Sequence, residues 1–148
     1  MKYTKYIKKL TPQELGYRKG RLTTGGYFYV SKSAVGSFFE TLDKNLHNDS
    51  RNLIFNDPLK KNHTIEASYV YHNDLYALEG GTRNEYRIYL NRDLAKHELY
   101  FQPEDIIAFE RDKDEHLTLS HYRLGDEKYK DLLEVINSNF ARGNHALL

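Results

Sequence analysis

The sequence predicts an α+β fold: a mainly antiparallel β pseudobarrel of seven or eight strands, with two helices at the barrel ends. Three observations lead there. Short runs rich in aromatic and β-branched residues alternate with period two and are separated by Gly, Pro, Asn and Asp turns. Two stretches space their apolar residues helically instead: Val35, Phe38, Phe39 and Leu42, then Leu132, Leu133, Ile136 and Phe140. A length of 148 residues suits a single domain with one core. Strands of this number and length close into a barrel or half-barrel, with helices covering the ends.

Residues 3–10 alternate Tyr, Ile or Leu with Lys or Thr and read as a strand with one solvated face. Thr11, Pro12 and Gly16 end it. Residues 27–30 make a short bulky strand. Ser31 or Ser33 then caps an expected helix over 33–42. Residues 43–62 read as a long polar loop with a small apolar insert, Leu53-Ile54-Phe55. A strand over 64–71 turns at His72-Asn73-Asp74 and returns through residues 75–78. Asn91-Arg92-Asp93 turns the chain again. Three strands follow at 99–101, 106–109 and 117–120, the last two joined by the charged turn 112–115. Asp126 caps a final helix to about Phe140. The domain is expected over 1–140, with 141–148 a tail or the start of a linker.

The chain has no cysteine, which excludes disulfides and thiolate metal sites and fits a reducing, cytoplasmic setting. No apolar run is long enough to span a membrane, so no membrane partner is expected. The formal net charge is only +1, but the charge is segregated. Between Lys2 and Lys32 the basic residues face a single acid, Glu14, whereas the last third is acidic. A basic end can approach a polyanion while the acidic end stays away.

Two stretches carry candidate chemistry. In Gly80-Gly81-Thr82-Arg83-Asn84-Glu85-Tyr86-Arg87-Ile88, Arg83, Glu85 and Arg87 share one parity and Asn84, Tyr86 and Ile88 the other. Arg matches guanine, Asn adenine and Glu cytosine in the major groove. An ion-paired surface hairpin has the same composition. The second stretch, Gly16-Tyr17-Arg18-Lys19-Gly20-Arg21-Leu22-Thr23-Thr24-Gly25-Gly26, can lie close against a phosphate backbone. It lacks the order of a nucleotide-binding P-loop. Base-reading candidates are Arg18, Arg21, Arg83, Asn84, Glu85 and Arg87. Lys8, Lys9, Tyr17, Lys19, Thr23, Thr24, Thr82, Tyr86 and Arg92 are candidates for phosphate contact and positioning.

Three segments resemble the N-terminal DNA-recognition domain of EcoRII-type restriction endonucleases, a pseudobarrel of the B3-like kind. Tyr6-Ile7-Lys8-Lys9-Leu10 with Gly16 and Gly20 is similar to the family's first strand and the start of its N-terminal arm. Tyr29-Val30 through residues 33–42 is similar to the following strand and helix. Thr82-Arg83-Asn84-Glu85 with Arg87-Ile88 is similar to the C-terminal arm, although Tyr86 stands where a relative carries Lys. Beyond about residue 95 the likeness is architectural, as in Gln102-Pro103-Glu104-Asp105-Ile106-Ile107-Ala108-Phe109. The resemblance implies two arms gripping the major groove of double-stranded DNA. It implies target recognition or effector binding for a restriction endonuclease, with a catalytic nuclease domain elsewhere in the polypeptide or in a partner. No cofactor is expected in this domain, and Mg²⁺ only with a separate catalytic domain.

Two other function classes stay open. A metal-dependent nuclease in its own right needs clustered carboxylates, for which Asp105 and Glu110 are the candidates. A barrel for single-stranded nucleic acid or RNA would use some of the 13 tyrosines as a stacking surface.

Overall fold

The structure, a computed structural model, describes residues 1–18, 21–22, 26–58, 60–73, 84–90, 101–138 and 143–148, with backbone only at 18, 21, 22 and 90. The strands are β1 (Lys5–Lys9), β2 (Tyr17–Arg18), β3 (Arg21–Leu22), β4 (Phe28–Val30), β5 (Ser50–Asn56), β6 (Thr64–Asn73), β7 (Asn84–Leu90), β8 (Ile106–Arg111), β9 (Leu117–Tyr122) and β10 (His145–Leu147). One α-helix, α1 (Tyr129–Ser138), lies among the described residues. Eight strands form one sheet in the order β10-β1-β8-β9-β5-β6-β7-β4, and β2 and β3 form a separate hairpin. Every pairing is antiparallel except β5 with β9. The α+β pseudobarrel is therefore as the sequence predicts.

The sheet curls around an aromatic core because its inward parity carries large rings. Phe109 lies at the centre, 5.9 Å from Tyr6, 5.6 Å from Phe39 and 5.4 Å from Phe55, ring centre to ring centre. Such pairs add roughly 0.5–1.5 kcal/mol each beyond the burial of their area. On the other side of β1, β8 and β10, Ile7, Ile106 and Ala146 pack under Tyr129 and Ile136 of α1. Leu132 and Leu133 join that cluster, so the expected stripe is real; Phe140 lies outside the described residues.

No ladder joins β1 to β4, the two strands that meet where the curl closes. Side chains span that seam instead. The Lys8 ammonium donates to Glu14 and, at 2.6 Å, to the Tyr29 carbonyl. Glu14 accepts the Tyr29 N–H at 2.9 Å, and the Tyr6 hydroxyl accepts the Ser31 N–H at 3.1 Å. His145 Nε2 lies 3.0 Å from both Ser31 Oγ and Ser33 Oγ.

Four expectations need correction. The helix over 33–42 is a single 3-10 turn, Lys32–Ala34, capped by Ser31. Val35 is extended and Gly36 sits at φ +81, so the chain reverses. Phe38 and Phe39 are thereby both driven into the barrel end, 6.3 and 6.0 Å from Tyr6. The polar loop holds strand β5, whose alternate residues Leu53 and Phe55 face the core while its other face carries Ser50, Asn52 and Asn56 with one exposed apolar residue, Ile54. Phe101 lies in a bend rather than a strand. The expected tail supplies β10, in register Tyr6↔Leu147 and Lys8↔His145, because His145 and Ala146 are buried against β1 and α1. The return strand at 75–78 and the turn at 91–93 lie outside the described residues.

Candidate functional site

The glycine-rich stretch hangs from a braced turn. Thr11 and Glu14 cap the 3-10 turn Gln13–Leu15 reciprocally: Thr11 N–H donates to Glu14 Oε1 at 3.1 Å and Glu14 N–H to Thr11 Oγ1 at 3.3 Å. Gly16, at φ +90, ends the turn. Tyr17 N–H then donates to the Pro12 carbonyl and Tyr27 N–H to the Glu14 carbonyl, both at 3.0 Å. Both stalks of this arm thus hang from the same turn. Gly26 is required there, since a Cβ would lie 2.6 Å from the Glu14 carbonyl oxygen. Between the stalks, β2 and β3 pair Tyr17↔Leu22 and Arg18↔Arg21. Tyr17 is exposed. Lys19, Thr23 and Thr24 lie outside the described residues.

The second arm is the connection between β6 and β7, whose ladder runs out to Asn73↔Asn84. Its base is pinned. Asn73 and Asn48 exchange backbone N–H to side-chain bonds at 3.1 and 3.2 Å, and Asn73 Nδ2 donates to the Leu46 carbonyl at 2.9 Å. The Tyr71 hydroxyl donates to Asn84 Oδ1 at 2.5 Å. Thr82 and Arg83, like Arg92, lie outside the described residues.

The predicted alternation of β7 holds. Tyr86 and Ile88 face the core, and Glu85, Arg87 and Tyr89 share the outer face. One oxygen of Glu85 accepts from both Nε and Nη2 of Arg87, at 3.0 and 2.7 Å. Arg87 Nη1 donates to the Tyr89 hydroxyl at 3.0 Å. The guanidinium lies over the Tyr27 ring, 4.1 Å from its centre. The Tyr27 and Tyr29 hydroxyls are 3.0 Å apart, and burial, that contact and Glu85 push the Tyr29 phenol up to about 12. The Arg87 side chain is only 8% exposed, against 38% for Glu85.

Two phosphate candidates prove structural. Lys8 is 6% exposed and held in the seam, because Tyr6, Lys8 and Leu10 share the inward parity of β1. Burial pushes its ammonium below the ordinary value, an effect that Glu14 opposes. Tyr86 is buried against Tyr69, and its hydroxyl accepts the Leu42 N–H at 3.1 Å. Neither is open to a phosphate. Lys9 stays on the surface, paired with Glu104 at 2.7 Å. Tyr89 was not among the candidates; its signal is the continued alternation Glu85, Arg87, Tyr89.

The arms leave at opposite ends of one strand. Tyr27, where the first arm returns, lies 5.3 Å from Tyr89, while the second arm ends at Asn84. Strand rise separates Asn84 from Tyr89 by roughly 17 Å. The outer face between them carries Tyr27, Tyr29, Glu85, Arg87 and Tyr89.

The nuclease candidates do not meet. Asp105 is buried, accepting the Gln102 N–H at 2.9 Å, and Glu110 pairs with Lys5 at 3.0 Å. They lie at opposite ends of β8, roughly 16 Å apart by strand rise, too far to share an ion. Among the described residues, the group of three carboxylates and histidines within ligand range of one another is Asp112, Asp114 and His116, all exposed in a hairpin turn. Also among the described residues, no helix is long and apolar enough to cross a membrane.

The structure is similar to the N-terminal domain of Helicobacter pylori LlaJI.R1, with a TM-score of 0.62 and 18% identity over 98% of this chain and 97% of that one. The likeness shows a shared fold. No protein-family model matches the sequence, and no curated protein matches it.

Proposed function

We propose that this chain recognises a short double-stranded DNA site as part of a restriction system, holding the major groove between its two arms. The observation that carries this reading is the placement of the arms. Their described roots, at Tyr27 beside Tyr89 and at Asn84, stand at the two ends of the outer face of β7, a spacing that suits a groove about 12 Å wide. The similar domain belongs to LlaJI.R1, a restriction-related protein, which supports the same reading. Cleavage is assigned to a catalytic domain elsewhere in the polypeptide or in a partner, and Mg²⁺ would serve there.

In this reading Arg18, Arg21, Arg83 and Asn84 address base edges, as the EcoRII-type resemblance implies. Lys9, Tyr17, Lys19, Thr23, Thr24, Thr82 and Arg92 hold the backbone. Glu85 and Arg87 bind each other and are taken up below. Replacing one base-reading Arg should cost roughly 1–3 kcal/mol and relax specificity at one position. Replacing a backbone contact should weaken all sequences alike and flatten the salt dependence. A single-strand reader is the weaker reading, because the Arg87 guanidinium already lies over the Tyr27 ring at 4.1 Å, where a base would stack.

The test is selection from a pool of duplexes with a randomised core, followed by titration at several salt concentrations. The selected duplex, a scrambled duplex and the matching single strand are compared. Enrichment of one motif, bound as duplex with a strong salt dependence, is the expected result. Tighter binding to the single strand, or no duplex binding at low salt, overturns the reading.

A further inference from the structure

We infer that Glu85 occupies the place of a DNA phosphate, and that Arg87 with the hydroxyl of Tyr89 forms a phosphate site that Glu85 fills while no DNA is bound. The inference rests on the DNA reading above and gives β7 a part in it.

The geometry is that of an anion cradle with an internal occupant. A single carboxylate oxygen sits between Nε and Nη2 of Arg87, at 3.0 and 2.7 Å. A phosphate oxygen fits the same fork, since guanidinium binds both anions through paired N–H donors. The cation is fixed in advance. It sits in mid-strand on β7, paired across to Tyr29 on β4 and Val70 on β6. It rests on the Tyr27 ring at 4.1 Å and is tied to the Tyr89 hydroxyl at 3.0 Å. The carboxylate is the more accessible partner, more than a third exposed where Arg87 is nearly covered. A largely buried cation on the outer face, whose countercharge is exposed, can exchange that countercharge. Arg87 is too deeply seated to reach a base edge, so the exchange partner is the backbone. The described roots of the two arms, Tyr27 and Asn84, lie at either end of the site, so in the reading above a duplex held between the arms passes over it.

Glu85→Gln removes the competing charge and keeps an oxygen for Arg87 to bond. It should tighten binding of the selected and scrambled duplexes alike, by about threefold to tenfold. The gain should vanish when Arg87→Gln is added. Weaker binding, a change at one base position only, or a gain that survives Arg87→Gln overturns the inference. A second measurement separates the two levels: the Arg87 Nε–H resonance of Glu85→Gln, followed by NMR during titration with inorganic phosphate. A shift in Glu85→Gln that is much weaker in wild type supports the site. If that shift occurs but no variant binds duplex, the anion site stands and the DNA reading falls. If duplex binds and the resonance stays still, the anion site falls and the DNA reading stands.

Discussion

Lys8 and Glu14 are buried together at the seam between β1 and β4, where no strand ladder closes the barrel. Glu14 also accepts the Tyr29 N–H and braces the turn beneath the first arm. Removing one member of such a pair leaves an uncompensated buried charge, which costs about 3–5 kcal/mol. Glu14→Ala should therefore lower the urea-unfolding free energy by about that much. Adding Lys8→Met should recover part of the loss, leaving mainly the unmet Tyr29 and Thr11 N–H groups. A double variant no more stable than Glu14→Ala would show that the charge is not the cause.

The seam should also respond to acid. Burial holds the His145 imidazole below its ordinary value of 6.5, and the positive charge of Lys8 adds to the effect. The unfolded chain then binds that proton more readily than the folded chain. Stability is whole above about pH 6.5 and falls as the pH drops toward the folded value. His121, lowered mainly by burial, acts in the same direction. Unfolding free energies between about pH 7 and pH 5 should decline, and less steeply in His145→Gln. Equal slopes would remove His145 as a contributor.

Gly26→Ala tests the mounting of the first arm. Its Cβ would meet the Glu14 carbonyl at 2.6 Å, a backbone atom that cannot swing away. A loss of about 1–3 kcal/mol is expected, together with weaker duplex binding if the arm is shifted. Unchanged stability would mean that the stalk relaxes freely.

Tyr86→Phe separates a core role from a phosphate role. The variant leaves the buried Leu42 N–H without its partner, at a cost of about 1–3 kcal/mol. The slope of DNA affinity against salt should not change. A flatter slope would return Tyr86 to the backbone-binding set.

The strands were legible where alternation had a clear inward parity, as in β6 and β7, and β8 was legible as a continuous apolar run buried on both faces. The same alternation held a less obvious message in β1. Lys8 shares its parity with Tyr6 and Leu10, and Glu14 is the lone acid between Lys2 and Lys32. A buried pair was readable from those two facts together. The helix over 33–42 was not excluded by spacing, because Val35, Phe38, Phe39 and Leu42 fit a helical period. Gly36 decides against it: a positive φ is a tertiary requirement that a glycine permits but does not announce. β5 was hidden because its apolar residues are a consecutive run, Leu53-Ile54-Phe55, with Ile54 pointing outward, so no alternation shows and it reads as a polar loop with a small insert. In the candidate site, the composition of the β7 stretch was legible, but the Arg87–Glu85 pairing was not. Arg at that position has the reach for a base, a phosphate or a neighbouring acid, and only coordinates choose among them.

The register of β1 has a consequence for how the chain comes together in time. Tyr6 pairs with Phe109 on one side and Leu147 on the other. Strand β1 thus has no ladder until β8 and β10, far along the chain, are available. The β5–β6 and β6–β7 pairings lie in the middle of the chain, and being more local they should gain amide protection first in a pulsed hydrogen-exchange experiment. The terminal strand then inserts as the closing event. The basic segment from Lys2 to Lys32, including the stalks of the first arm, reaches its working shape only once β8 and β10 are in place. A nascent or truncated chain would carry the positive charges that attract a polyanion without the frame that aims them.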